Sequence, residues 1–420
     1  MKRLFIFLLV WLVSACGSTV QPIVQSSSET TVPGATAPEG SVASVVTGNN
    51  NFAFDVYRAL SSREDQKGKN LFLSPFSISS ALAMTYAGAR SETEAQMARV
   101  MHFELKQSRL HPAFSALLAR MQGKEGYQLS IANALWPQKE YPFRDDFMRT
   151  GTVSYQGGIQ ALDYQTNTEG SRQIINQWVE QKTQDKIKEL IPPGALNQLT
   201  RLVLTNAIYF KGKWDKQLNT ANTAPVVFWL NGTETVMVPM MSQTERVSYF
   251  QNDTLQMLEL PYAGKELSMV VLLPERNLRI GNLELMLSAT TVERWMSSMT
   301  QQEVRVNLPR FKTTCSYDLS SELIKMGMTD AFNPSKADFS AMTAKDSLYI
   351  SQVLHKTFVE VNEEGTEAAA ATAVVVRVRG TTPLGYQFRA DRPFIYLIRD
   401  RTTGCILFLG RVMNPLLTGE

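Results

Sequence analysis

Between Val361 and Arg379 the chain carries a strand-like stretch in which small or apolar residues alternate with a more polar set. From Thr366 onward every second residue is small or apolar, and the charged residues Glu367, Arg377 and Arg379 all fall on the interleaved positions. A period of two is typical of a strand that buries one face and leaves the other wetter. The stretch therefore predicts a strand, although the sequence shows no obvious partner for it.

The middle of this stretch is a run of alanines, Ala368–Ala371, followed by Thr372. Alanine has a weak preference for strands and also suits a helix or a loop. Two interpretations stay open on these residues alone. Either the segment switches between a loop and a sheet interior, or it is an ordinary strand that follows a tight turn at residues 363–365.

The hydrophobic pattern elsewhere predicts helices and strands mixed along one chain. Asn70–Met97 runs from a short apolar strand through Ser-Pro into a helix, and Ser91 is expected to cap a second helix. Leu348–Val361 is an apolar segment that leads into the Glu-Glu-Gly turn. No repeat or low-complexity linker follows Gly48, so one large mixed α/β domain is predicted.

Five separated segments carry a family resemblance, and they read NLFLSPFSISSALAMTYAGARSETEAQM, LVLTNAIYFKGKW, LPRF, VNEEGTEAAAAT and RPFIYLIRDRTTGCILFLGRVMNP. In chain order and spacing, across Asn49–Pro415, they resemble the serpin family. The resemblance implies an α+β serpin fold with a large central β-sheet A, sheets B and C, about nine helices and an exposed reactive-centre loop. It implies a serpin domain at residues 49–420, with the hinge and loop at residues 363–391.

The first residues indicate export. Two basic residues precede the apolar run Leu4–Val13, which is too short to span a bilayer because a spanning helix takes about 20 residues. We therefore expect a signal peptide at residues 1–15. The sequence VSAC, which ends at Cys16, resembles the bacterial lipobox and implies that Cys16 is lipidated. An ordinary cleaved signal with an incidental cysteine is the alternative.

The segment after the signal is rich in small polar residues. Of the 32 residues from Gly17 to Gly48, 18 are Ser, Thr, Pro or Gly, and none is aromatic, Lys or Arg. Such a composition buries too little surface to fold, so residues 16–48 are expected to form a lipidated cysteine and a flexible tether. The residue after Cys16 is Gly17 and not Asp. By resemblance to the bacterial sorting rule, this favours the outer membrane over the inner membrane. The expected location is the bacterial cell envelope, either periplasmic or surface-exposed.

Charge and cysteine content narrow the set of partners. The formal net charge is +3, from 42 basic and 39 acidic residues, which argues against nucleic acid as a partner. Some serpins bind polyanions through a basic helix, but the corresponding Leu110–Gln122 carries only Arg120, so polyanion activation is not expected. Cys315 and Cys405 could form a disulfide. Because Cys405 begins an apolar strand, a buried free thiol is favoured there. We also expect the protein to be a monomer.

The sequence shows no catalytic arrangement. None of the three histidines, His102, His111 and His355, lies in an HExxH pattern, and no GxSxG elbow, Walker loop or GxGxxG loop is present. We therefore expect the chain not to be an enzyme and to need no metal or cofactor. His355 lies in the apolar segment before the Glu-Glu-Gly turn and is interpreted as a core residue with satisfied hydrogen bonds.

The resemblance assigns roles to several buried positions. It implies a polar cluster beneath the central sheet, the shutter, formed by Ser74, Ser77, Asn206 and His355. These residue types can satisfy one another's hydrogen bonds in a buried site. Trp214 corresponds to the family's tryptophan at the breach, the place where the loop first inserts into the sheet.

The resemblance also implies a scissile bond. In inhibitory members it usually follows the residue fourteen positions beyond the hinge glycine, Gly365, and that rule gives Arg379–Gly380 here. Arg377 and Val378 are secondary candidates for the cleaved position. The hinge consists of Glu363, Glu364, Gly365, Thr366, Glu367, Ala368, Ala369, Ala370, Ala371 and Thr372.

The expected function is that of a serine protease inhibitor that traps a trypsin-like protease covalently when its loop is cleaved and inserts into the sheet. Arginine at the cleaved position suits a protease pocket that holds a carboxylate. The hinge residues that insertion buries first are small, and none is charged or proline. Two alternatives remain: a serpin-fold surface lipoprotein that binds a partner without inhibiting, and an inhibitor whose main target is an elastase-like or a cysteine protease.

Overall fold

The computed structural model describes residue 37 and residues 40–122, 126–344, 348–366 and 385–419. Within them the chain forms nine α-helices: α1 Ser41–Ser61, α2 Pro75–Tyr86, α3 Ser91–Met101, α4 Gln107–Met121, α5 Asp145–Tyr155, α6 Thr168–Lys182, α7 Ile280–Met286, α8 Ala289–Ser297 and α9 Ser320–Lys325. None of these helices is long and apolar enough to cross a membrane.

Fifteen strands accompany the helices in the same described ranges. They are β1 Leu71–Leu73, β2 Tyr127–Pro137, β3 Gly158–Ile159, β4 Leu202–Lys213, β5 Ala224–Trp229, β6 Thr235–Gln251, β7 Leu255–Pro261, β8 Leu267–Pro274, β9 Thr300–Pro309, β10 Phe311–Asp318, β11 Gln352–Val361, β12 Gly365–Thr366, β13 Tyr386–Arg389, β14 Phe394–Asp400 and β15 Ile406–Val412.

The strands form two sheets, and the six-stranded one holds the predicted hinge. Its order is β10-β11-β12-β4-β2-β3, and β11 also pairs directly with β4 in parallel. A parallel pair needs a long connection between its strands. Here the connection is long and includes β5 to β10, since β4 ends at Lys213 and β11 begins at Gln352.

The second sheet has nine strands, and it changes one expectation. Sheets B and C were expected as separate sheets, but β6 is 17 residues long and pairs with β5, β9 and β7 in turn. Because β6 pairs with all three strands, the strands expected in sheets B and C belong to a single hydrogen-bonded sheet here. The expected α+β architecture itself is confirmed.

Apolar side chains pack on both faces of the six-stranded sheet. The main core lies between the two sheets and includes Phe72, Phe210 and Phe408, whose rings contact one another. A smaller core lies under α6 and includes Trp136 and Val179. Since both faces are covered, any strand added to this sheet would be buried on both sides.

Helix α1 begins earlier than the composition predicts. Residues 41–48 were assigned to the flexible tether, but α1 begins at Ser41, and Val45 and Val46 are buried in the main core. Valine at positions 42, 45 and 46 has the i, i+3, i+4 spacing of a helix that buries one face. The high content of serine and glycine conceals this spacing.

Two local predictions have different outcomes. Ser91 does not cap α3: it is the helix's first residue, Arg90 occupies the cap position, and the Ser91 hydroxyl donates to Asp338 at 2.7 Å. Cys405, in contrast, is a buried free thiol as expected, and Cys315 is also free and buried.

Candidate functional site

The predicted Glu-Glu-Gly turn exists and is fixed by the residue before it. The Asn362 side-chain oxygen accepts hydrogen bonds from the backbone N–H groups of Glu364 at 3.0 Å and Gly365 at 3.3 Å. The Asn362 backbone N–H also donates to the Gly365 carbonyl oxygen at 2.9 Å. Asparagine side chains commonly close turns in this way. The turn reverses the chain at the end of β11.

Gly365 must be a glycine at this position. Its φ is +151°, and a Cβ atom added here would lie 2.0 Å from the carbonyl oxygen of Gly212. Only a residue without a side chain tolerates both the dihedral angle and the close approach. The backbone of the hinge thereby comes into direct contact with β4.

Thr366 is already part of the sheet. It pairs antiparallel with Val361 of β11 on one side and with Gly212 of β4 on the other. Its side chain is fully buried, and its hydroxyl lies 2.7 Å from that of Tyr262. The start of the predicted hinge therefore lies inside the protein, since Glu363, Gly365 and Thr366 are buried.

Further along the two strands the gap between β11 and β4 is closed. There the strands pair directly, from Gln352 opposite Val203 to Phe358 opposite Tyr209. The two strands therefore diverge only around β12. An incoming strand that followed Thr366 would have to separate this parallel ladder.

Glu363 ties the turn to the neighbouring strands. Its carboxylate is buried and accepts from the Arg310 guanidinium in a forked arrangement, with Nε–Oε2 at 2.8 Å and Nη2–Oε1 at 2.6 Å. The Thr223 hydroxyl also donates to it. Burial acts to raise the pKa of Glu363, but the bonds from Arg310 and Thr223 outweigh it and hold the pKa below the ordinary value. The carboxylate is therefore kept charged.

Trp214, the residue predicted to lie at the breach, contacts the same turn. Its indole N–H donates to the Asn362 carbonyl oxygen at 2.9 Å, and its backbone N–H donates to the Glu364 carbonyl oxygen at 2.8 Å. The ring stacks on Tyr262 with 4.7 Å between centroids. Trp214 thus contacts the turn and Tyr262 contacts Thr366. Together they lie beside the place where β11 and β4 diverge.

The four predicted shutter residues lie together and are buried. His355 Nε2 accepts from the Ser74 backbone N–H at 3.0 Å, which leaves the proton on Nδ1 to be donated to the Asn206 side-chain oxygen. Asn206 in turn donates to the Ser77 hydroxyl. Burial lowers the pKa of His355 to about 3, so the imidazole is neutral and both ring nitrogens are satisfied.

Two members of this cluster were missed. Asn133 on β2 donates to the Ser80 hydroxyl at 2.7 Å and accepts from Asn206 and Ser77. The signal was available, because Asn133 is the one amide inside the apolar run IANALW, and a buried amide there must have polar partners. The network therefore joins β11, β4, β2 and α2.

The loop ends earlier in the chain than expected. Residues up to 391 were assigned to it, but Tyr386–Arg389 form β13, which pairs parallel with β9 from Val304 to Asn307. The remaining predicted positions, Glu367–Thr372, Arg377–Gly380 and Cys16, lie outside the described residues.

Comparison with known proteins gives a consistent result. A family model described as Serpin (serine protease inhibitor) matches residues 47–415. The human leukocyte elastase inhibitor is 41% identical over 87% of this chain and 98% of its own length. An uncharacterised serpin-like protein of Thermococcus kodakarensis is 41% identical over 90% of this chain and 87% of its own. The crystal structure of uncleaved ovalbumin matches with a TM-score of 0.80 and 31% identity, over 89% of this chain and all of that one.

These findings correct the plain expectation that the chain is not an enzyme. The matched family is described by its reaction partner, the serine protease, and relatives are named as inhibitors of one. The plain statement is therefore replaced by what the matched family and relative are described as, which is inhibitors of proteases.

Proposed function

This chain belongs to the serpin family, and we propose that it inhibits a trypsin-like serine protease as a suicide substrate. The observation that carries the proposal is the position of Gly365 and Thr366 between β11 and β4. The hinge of the loop lies at the place where a new strand would begin. It follows a turn that hydrogen bonds of Trp214 and Asn362 hold in place.

The chemistry assigns each partner a step. The protease's serine oxygen attacks the Arg379 carbonyl carbon, the bond to the Gly380 nitrogen breaks, and Arg379 stays attached to the protease as an ester. The segment upstream of Arg379 then inserts after Thr366 as a central strand, a strain-releasing transition of the kind serpins undergo. The protease moves with its attached residue, and its active site is distorted before water can release it.

The composition of the hinge supports fast insertion. The positions buried first are Thr366, Ala368, Ala370 and Thr372, all of them small. A charge at one of them would cost several kcal/mol and a proline would remove a ladder hydrogen bond. About a dozen inserted residues would gain ladders on both sides at roughly 0.5–1.5 kcal/mol per hydrogen bond, a sum that can exceed about 10 kcal/mol even after the parallel β11–β4 ladder is lost.

A different protease class is the second candidate. The human relative is named for leukocyte elastase, and Val376 and Val378 adjoin the arginines in this loop. Elastase-like enzymes accept small apolar residues at the cleaved position. Cleavage after Val378 by such a protease would move the scissile bond by one residue and leave the insertion mechanism unchanged.

We further propose that Cys16 carries the lipid and holds the domain at the bacterial envelope, with the outer membrane favoured. The tether then ends at Gly40, since α1 begins at Ser41. Radiolabelled palmitate incorporated in the parent protein and lost in Cys16→Ser, with the variant released from membranes, is the expected result. Label that persists in the variant would refute the anchor.

The inhibitory proposal is tested by mixing the purified protein with trypsin in about equal amounts. A denaturing gel is expected to show an adduct with the mass of both chains, and mass spectrometry to place the cut after Arg379. Arg379→Ala should lose the adduct with trypsin, whereas Arg377→Ala should keep it. Parallel reactions with an elastase-like and a cysteine protease test the alternatives. Clean cleavage without an adduct by all three would leave a serpin fold that does not inhibit.

A further inference from the structure

A second concave surface lies apart from the hinge, and we call it the arginine cleft. Its volume is about 800 Å³, within the range of about 300–1,000 Å³ typical of small-molecule sites. Three segments form its walls: the turn between β5 and β6, residues 274–280 after β8, and Arg392–Pro393 before β14. None of the hinge or shutter residues lines it.

The charged side chains that line the cleft are three arginines, Arg276, Arg279 and Arg392, and no described lining residue is a carboxylate. Just behind them lies the buried carboxylate of Asp391, which is 2.6 Å from Arg276, 3.0 Å from Arg392 and 3.2 Å from Arg389. One negative charge therefore faces three guanidinium groups.

Arg392 is fixed in place and crowded by positive charge. Its Nε and Nη2 atoms donate to the Pro274 carbonyl oxygen at 2.9 and 2.7 Å. Burial lowers the pKa of Arg392, and repulsion from Arg276 adds to this effect against the attraction of Asp391 and Glu275. A bound anion would relieve this repulsion.

Arg279 is the arginine left without a neutralising group. Within the described parts of the chain it has no ion pair. The carboxylates of Glu234 and Glu275 form no ion pair with it: Glu234 accepts from Asn231 at 2.7 Å, and Glu275 accepts from Gln251 and Gln256 at 3.3 Å while it attracts Arg392. The cleft therefore keeps an excess of positive charge.

An exposed aromatic ring stands beside these charges. Trp229 ends β5 and is 41% exposed, and its backbone N–H donates to the Asp391 carbonyl oxygen at 2.8 Å. Val227, on the same face of the strand, and its cross-strand partner Met237 are exposed as well. An apolar strip thus leads from the edge strand to the arginines.

We propose that the arginine cleft binds an amphipathic organic anion, with a flat apolar body on Trp229 and a carboxylate, sulfonate or phosphate group held by Arg276 and Arg279. Guanidinium groups suit such oxyanions because their donors form a planar fork. The indole supplies the stacking surface that a flat ring system needs. This site is independent of whether the loop inhibits a protease.

The test uses two probes of similar shape and different charge. The anionic 8-anilino-1-naphthalenesulfonate and the neutral N-phenyl-1-naphthylamine are titrated into the purified protein, and the bound probe is followed by its fluorescence. The sulfonate is expected to bind saturably at one site. Arg279→Gln should weaken it by about ten-fold, the loss of one charge-assisted hydrogen bond, and leave the neutral probe unchanged.

Two more variants complete the design. Trp229→Leu should weaken both probes, because it removes the stacking surface. Arg149→Gln, on the exposed face of α5, serves as the matched loss of charge and should change neither. Sulfonate binding that does not saturate, that ignores Arg279→Gln, or that falls equally in Arg149→Gln would overturn the proposal. Unchanged thermal unfolding of the Arg279 variant would exclude misfolding as the cause.

Discussion

The hydroxyl of Thr366 lies 2.7 Å from the hydroxyl of Tyr262, and both side chains are fully buried. Tyr262 directly follows β7, forms an isolated backbone bridge with Trp214 and stacks on its ring. The contact therefore locates the first residues of the loop's hinge inside the protein, before any protease has cut the loop. Loop insertion, in this account, extends a strand that already exists.

The first prediction concerns that buried threonine. A buried unpaired charge costs several kcal/mol, so Thr366→Arg should expel the start of the hinge from the sheet, and insertion would then have to bury that charge again. Insertion should slow while hydrolysis continues, so the number of inhibitor molecules consumed per trypsin inactivated should rise at least about ten-fold. Thr366→Ser keeps the hydroxyl and should behave like the parent protein. Equal consumption by the Arg variant would contradict the insertion mechanism.

A second prediction tests the Arg310–Glu363 pair. Arg310→Gln leaves the buried carboxylate without its forked partner, and the free energy of unfolding should fall by about 1–3 kcal/mol in urea titrations. Lys312→Gln, two residues further along the chain, is the matched control, because its pair with Glu360 is exposed and contributes about 0–1 kcal/mol. Equal losses in both variants would mean that Glu363 needs no partner.

The same pair predicts a pH dependence. Since the folded pKa of Glu363 is depressed, its stabilisation is complete above the ordinary value of 4.5 and is lost as the pH falls below it towards the folded value. The difference in unfolding free energy between the parent and Arg310→Gln should therefore shrink below pH 4.5. A difference that stays constant down to pH 3 would contradict the assignment.

His355 predicts a loss of stability at milder acidity. Its folded pKa is about 3 and its ordinary value 6.5, so within that window the unfolded chain binds one more proton. Stability should then fall by about 1.4 kcal/mol per pH unit as the pH drops from 6.5. His111, whose pKa burial lowers to about 4, contributes a similar slope. His355→Gln and His111→Gln should each remove the contribution of one histidine to the slope of stability against pH. An unchanged slope in either variant would show that this histidine does not contribute to the pH dependence.

The early start of α1 predicts the effect of a truncation. A protein that begins at Asn49 loses the first turns of α1 with the buried Val45 and Val46, and burial of two valines stabilises by about 3–6 kcal/mol. A protein that begins at Gly40 keeps both residues. Thermal unfolding of the two should differ accordingly. Identical midpoints would show that residues 41–48 contribute nothing to the fold.

Much of the site was predictable because its residues have few ways to be satisfied. A histidine within an apolar strand must find polar partners, and His355 finds Ser74 and Asn206 as the family pattern implies. The Glu-Glu-Gly turn could be predicted because glycine tolerates the positive φ that a turn often needs, and Gly365 adopts one in close contact with Gly212.

Other features depend on tertiary contacts and could not be predicted. The alternation from Thr366 onward predicts a strand but not how far it is inserted, because that depends on whether β11 and β4 stay paired further along. The union of the two smaller sheets depends on the path of β6, which no local pattern specifies. The buried carboxylate of Glu363 lies in a sequence that reads as an ordinary exposed turn.

The most direct test of the central claim is the thermal stability of the protein after the loop has been cut. Cleaved protein is separated from any adduct, its cut is located by mass spectrometry, and unfolding is followed by circular dichroism. Insertion between β11 and β4 should raise the midpoint by roughly 12 °C, since about 10 kcal/mol is gained. Thr366→Arg should show a much smaller rise. An unchanged midpoint after complete cleavage at Arg379 would mean that the loop does not insert.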